Sequence, residues 1–79
     1  MKDDSIHKLD EIFRAVFDLP EGADVSNVQR NGDVPWDSLT LVTLVAAIES
    51  EFHCELDAAD ALELVSYQAA RALLEEKGV

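Results

Sequence analysis

Basic residues are scarce in this chain of 79 residues: six Lys and Arg stand against 17 Asp and Glu, for a net charge of −11. A surface of that sign repels nucleic acid and anionic membranes and draws the chain toward basic patches on partner proteins. Cysteine is scarcer still. Cys54 stands alone, which excludes an internal disulfide and suits a reducing compartment. No apolar run is long enough to span a bilayer, so no membrane insertion is expected. The acidic N-terminus lacks the basic and apolar regions of a signal peptide, and the cytoplasm is the expected location. Aromatics are few, but 48% of the residues are apolar, so one small core is feasible. The length predicts a single domain over residues 1–79, near the lower size limit of a self-sufficient core.

Equipment for catalysis is missing as well. There is no Gly-rich phosphate loop, no metal motif of recognisable spacing and no nucleophile elbow. His53-Cys54 could be imagined as metal ligands or as a nucleophile with its base. Adjacent residues project in different directions, however, and His7 is far off in sequence, so a helix-end turn with a small, partly buried Cys is the better reading. The carboxylates look like a solvated face rather than an acid/base pair. A chain this small has no room for a deep cleft and is not expected to be an enzyme.

What is present is helical. Ile6, Leu9, Phe13, Val16 and Phe17 recur at helical spacing, with Ile12 beside them, and predict a first helix from about Ser5 to Asp18. Asp3, Asp4 and Ser5 are its cap candidates, and Pro20 and Gly22 stop it. Residues 19–36 then read as a long connection containing Gly22, Asn27, Asn31, Gly32 and Pro35, which Val25 and Val28 would pin to the core. A second helix is predicted from Ser38 to Phe52, with Asp37 as N-cap and Leu41, Leu44, Val45, Ile48 and Phe52 facing inward. Leu39, Val42 and Ala46 are left over on its other side. Asp57 and Asp60 read as a capping pair for a short helix over Ala58–Leu64. Ser66 caps a last helix from Tyr67 to about Lys77, with Tyr67, Ala70, Leu73 and Leu74 inward and Gly78 after its end. The fold class is all-α, a small four-helix bundle of three longer helices and one short, with a long loop between helices 1 and 2.

Charge and motif converge on the second helix. Arg30 and Arg71 bracket a stretch without Lys or Arg that contains Asp33, Asp37, Glu49, Glu51, Glu55, Asp57, Asp60 and Glu63. Acidity keeps a small protein in solution, but this concentration after Ser38 favours docking to partners. Trp36-Asp37-Ser38-Leu39 opens the helix and sets the Ser38 hydroxyl outward on its first turn. Helix starts leave N–H groups unpaired and carry partial positive charge, so they tolerate an attached phosphate.

From Asp37 to Leu74 the chain resembles the acyl carrier protein family. The resemblance rests on D-S-L-T-L-V-T-L-V-A-A-I-E-S-E-F, then Glu55-Leu56, then a short acidic segment, then V-S-Y-Q-A-A-R-A-L-L. It implies that Ser38 is the attachment point of 4′-phosphopantetheine, supplied from coenzyme A by a phosphopantetheinyl transferase using Mg²⁺ held by that enzyme. The thiol of the arm would hold an acyl group as a thioester for acyl-loading and acyl-transfer enzymes with basic patches. It also implies a shallow apolar docking strip of Leu39, Val42 and Ala46 beside Ser38, although such residues more commonly pack against a loop or another helix. A bundle core walled by Leu, Ile, Val and Phe could shelter an apolar cargo.

Departures from the family pattern point to a specialised, stand-alone carrier of a lipid or secondary-metabolite pathway. Pro35 stands where fatty-acid-synthesis carriers usually have Gly, and Thr40 and Thr43 stand where acidic residues are usual. Trp36 has two readings, packing under the long loop or contacting a dedicated partner. The expected partner-facing set is therefore Trp36, Asp37, Leu39, Val42, Ala46, Glu49 and Glu51, on a chain acting as a monomer. The alternative is an aminoacyl carrier of the peptidyl or D-alanyl type, and a further one is an unmodified acidic adaptor that keeps the carrier fold.

Overall fold

Helix α1 spans Asp3–Val16. It starts two residues before the sequence expectation because no side chain caps it: Lys2 occupies the cap position without a side-chain hydrogen bond. Asp3 and Asp4 instead lie in the first turn, where their charge suits the helix dipole. The other end closes before Pro20 is reached. Asp18 takes a left-handed conformation (φ 53°), the Leu19 N–H donates to the Arg14 carbonyl at 2.8 Å, and the Asp18 N–H to that of Ala15 at 3.4 Å. That is a Schellman closure with Asp in the place glycine usually fills, one of the few side chains that tolerate such a φ.

The computed structural model describes residues 2–29 and 36–78. Arg30, Asn31, Gly32, Asp33 and Pro35 lie outside the described residues. Helices α2 (Ser38–Phe52), α3 (Ala58–Glu63) and α4 (Tyr67–Glu76) follow the expected order and boundaries to within a residue. The described residues form three longer helices, one short one and no strand beyond a single antiparallel bridge between Gln29 and Ser66. The chain is an all-α four-helix bundle.

Leu9, Ile12, Phe13 and Phe17 of α1 and its C-terminal end meet Leu44 and Ile48 of α2 and Tyr67, Ala70, Leu73 and Leu74 of α4 in one core. Ile6 and Val16, at the edges of the expected stripe, are only half-buried. Four of the five aromatic rings gather around Phe13. It lies 5.6 Å from Phe17, 6.1 Å from Trp36 and 5.2 Å from Tyr67, the last edge-on at 83°. Such tilted and edge-on pairs add to the gain from burial itself.

The connection between α1 and α2 is fastened where it can be seen. Val25 and Val28 are buried as expected. Arg14 Nε donates to the Ala23 carbonyl at 2.9 Å, and the Tyr67 N–H donates to the Val28 carbonyl at 2.9 Å. Ser66 caps α4 by accepting the Ala69 N–H at 3.0 Å, so the loop and the start of α4 share one strip of backbone. Helix α3 is different in kind, having no buried residue. Its C-terminal end is anchored by the next residue, Leu64, which is buried in the core, and its N-terminal end is held by polar contacts. Asp57 and Asp60 form a reciprocal capping box at 2.8 and 3.2 Å, and Lys77 Nζ reaches Asp60 at 2.9 Å.

Tyr67, the chain's lone tyrosine, donates its hydroxyl to Asp10 at 2.5 Å and ties α4 to α1. Burial, then that hydrogen bond and the nearby Asp10 charge, push its phenol up to about 12. A folded-state value above the ordinary 10 means that this contact contributes fully below pH 10 and is lost as pH rises from 10 toward 12. Absorbance titration at 295 nm should show Tyr67 ionising above 11, with Asp10→Asn lowering that midpoint; a native midpoint at 10 would refute the arrangement.

Candidate functional site

The first turn of α2 is built by one carboxylate. Asp37 Oδ1 accepts the Thr40 N–H at 2.8 Å, and the first helical hydrogen bond runs from the Leu41 N–H to the Asp37 carbonyl at 3.0 Å. The Thr40 contact holds the Asp37 carboxyl below its ordinary value. Ser38 is the first residue of the 15-residue helix and is exposed. In any α-helix the first N–H groups lack intrahelical acceptors, so the backbone around Ser38 presents donors and the positive end of a helix dipole to whatever is attached there.

One face of α2 runs from Ser38 into solvent. Leu39 and Val42 are 74% and 65% exposed, and Ala46 is exposed below them. A helix turns about 100° per residue, which puts these three on one stripe with Glu49. Thr43 does not make this surface more polar, because its hydroxyl donates to the Leu39 carbonyl at 3.0 Å. Beside the stripe lies a shallow groove of about 280 Å³ between α2 and α3, lined by Leu41, Val42, Val45, Ala46, Glu49 and Ala61. The inward stripe is correspondingly narrower than its sequence suggests: Leu44 and Ile48 are buried, whereas Leu41, Val45 and Phe52 are half-buried.

Three of the residues expected to face partners lie apart from the Leu39–Val42 surface or are partly enclosed. Trp36 is buried, 9% exposed, with its ring 5.1 Å from Phe17, the packing position that one of its two readings expected. Glu49 is half-buried: it lines the groove beside the stripe, and its Oε2 accepts the Leu56 N–H at 2.9 Å, fixing the turn between α2 and α3. Glu51 is exposed but sits about 200° around the helix from Glu49. It lines a groove with His7, Lys8 and Glu11 of α1, away from the Leu39–Val42–Ala46 stripe. The two glutamates therefore do not form one acidic edge.

Sequence reasoning missed the exposed Leu62 and Val65 at the end of α3 (74% and 41%) and Ala61 in the groove. A six-residue helix is too short for its periodicity to separate faces. His53 caps α2 in a left-handed conformation (φ 52°), as a helix-end turn should. Burial first of all raises the pKa of Cys54 and keeps it a thiol rather than a thiolate. Among the described residues no cluster of His, Cys, Asp or Glu could hold a metal ion, and no helix is long and apolar enough to cross a membrane.

Residues 33–74, more than half of the chain, match the family described as the phosphopantetheine attachment site. The chain belongs to that family. Its members are carriers of covalently attached 4′-phosphopantetheine rather than catalysts, and they work with phosphopantetheinyl transferases and acyl enzymes. The chain is also similar to acyl carrier protein 3, chloroplastic, of Hordeum vulgare, at 28% identity over 75 residues. That alignment covers 95% of this chain and 57% of the barley protein, so the chain spans little more than half the length of that relative. No solved structure matches.

The carboxylates of Asp37, Asp24 and Asp60 are all held below the ordinary value of 3.8, by hydrogen bonds from Thr40, Ser26 and Lys77 respectively. Depressed carboxyls contribute stability above 3.8 and lose it as pH falls through their folded values. Thermal unfolding followed by circular dichroism should show the melting temperature falling steadily below pH 4. Asp37→Asn, which can still cap but lacks the charge, should lower the melting temperature at pH 7 less than Asp37→Ala does; equal melting by the two variants would deny Asp37 its role.

Proposed function

We propose that Ser38 is the residue esterified with 4′-phosphopantetheine, and that residues 1–79 act as one carrier domain presenting acyl groups to partner enzymes. The observation that carries this reading is an exposed hydroxyl on the first turn of a long, capped helix, bordered by an exposed apolar stripe. The residues present suit the group. No side chain covers Ser38 enough to bury it, and the positive end of α2 favours a phosphodiester on its oxygen. The arm, once attached, supplies a thiol whose thioester keeps the acyl group activated.

The protein's own residues do the rest. Asp37 orders the turn that carries the hydroxyl, and Leu39, Val42 and Ala46 form the face that partner enzymes read. The groove beside Val42 and Ala46 gives partial apolar cover to a tethered cargo. Basic patches on the partners meet the acidic field, in which Asp37 stands at the start of α2. Glu49 borders this face, whereas Glu51 points toward the groove along α1. Tethering raises the effective concentration of cargo at each partner site. The missing acidic residues at Thr40 and Thr43 favour a specialised pathway over general fatty-acid synthesis, and the free thiol of Cys54 suits a reducing cytoplasm.

Intact mass spectrometry after incubation with coenzyme A, Mg²⁺ and a broad-specificity transferase should show a gain of one phosphopantetheinyl group. Ser38→Ala should keep its circular dichroism spectrum and gain nothing; an unmodified wild-type chain would end the proposal. Offering the loaded protein to fatty acyl and amino acid activating enzymes should yield acyl thioesters, and loading with amino acids alone would replace the acyl reading with the aminoacyl one.

A further inference from the structure

We propose that Trp36 is a positioning residue for arm transfer: through its ring it sets where the start of α2, and with it the Ser38 hydroxyl, sits on the bundle. This rests on the reading of Ser38 given above. The argument comes from burial along the segment. Asp37, Ser38, Leu39, Val42 and Thr43 are exposed, and Thr40 and Leu41 are half-buried. Between Trp36 and Leu44 no residue is buried. The first turn and a half of the helix therefore has one full anchor in the core, and Trp36 is that anchor.

Its neighbours explain what the anchor grips. The indole ring lies 5.1 Å from Phe17 and 6.1 Å from Phe13, at the C-terminal end of α1. Trp36 immediately precedes the N-cap, and Leu41 is the fourth residue of the helix proper, half-buried against the same core. These are the two positions of a hydrophobic staple, which fixes the angle at which a chain enters a helix. The indole N–H is buried and has no hydrogen-bond partner among the described residues. Among the described residues no polar contact orients the ring, ring packing does, and a smaller side chain would release the entry angle. Ser38, two residues on, has no packing of its own to compensate.

The test is steady-state transfer of the arm from coenzyme A to wild type, Trp36→Phe and Trp36→Ala, well below each melting temperature. A misplaced nucleophile lowers the rate of the chemical step, and displacements near 1 Å are enough to cost orders of magnitude. Trp36→Ala should lose about tenfold or more in kcat at little-changed KM, and Trp36→Phe should recover most of it. Amide exchange should rise at residues 39–41 in Trp36→Ala while the amides of α4 keep their protection. A lower melting temperature with unchanged kcat and unchanged exchange at residues 39–41 would reduce Trp36 to core filling. A loss confined to KM would make it a docking contact instead, and either result overturns the inference while leaving Ser38 loading intact. If Trp36→Ala does not fold, Trp36→Leu takes its place with the same criteria. If wild type accepts no arm, the proposed function fails and the exchange measurement still decides the role of Trp36.

Discussion

Phe13 holds the molecule together because it is where three segments distant in sequence touch. Its ring is fully buried and meets Phe17 on its own helix, Trp36 at the entry to α2 and Tyr67 at the start of α4. In a chain of this size the aliphatic core is thin, so stacked and edge-on rings carry a large share of the packing. The three rings around it lie at helix ends: Phe17 closes α1, Trp36 precedes α2 and Tyr67 opens α4. The cluster therefore determines helix placement as well as stability, and the exposed serine inherits its position from rings it never touches.

The bundle combines two kinds of cohesion. Helices α1, α2 and α4 are joined by buried apolar side chains of their own, whereas α3 has none and hangs on the buried Leu64 just after it, with carboxylates and one lysine at its start. The capping box of Asp57 and Asp60, the Lys77–Asp60 pair and the bond from Glu49 to the Leu56 N–H hold an element with no buried residue. Exposed ion pairs contribute little individually, and short segments with few apolar contacts open at low free-energy cost. The groove beside α2 is thus bounded on one side by the rigid core and on the other by the most weakly packed helix.

Acidity plays more than one part. Some carboxylates are structural: Asp37 and Asp57 cap helices, Asp10 receives the Tyr67 hydroxyl, and Glu49 satisfies a turn. Others, such as Glu55 and Glu63, are exposed and carry their charge into solvent. A net charge of −11 alone would assign all of them to the second group. Only their hydrogen bonds separate the two.

Local chemistry was legible in the chain itself. The caps at Asp37, Asp57 and Ser66, the apolar face of α4 and the helical character of every element follow from neighbours within four residues, which is the range over which helix periodicity and capping act. The serine motif was legible for the same reason. What only tertiary structure decided involves contacts across long separations: the burial of Trp36 by α1, the capture of Glu49 by the turn after its helix, and the splitting of Glu49 from Glu51 between two faces. A side chain's neighbours in space depend on how helices dock, and docking is set by the whole core at once rather than by any local stretch.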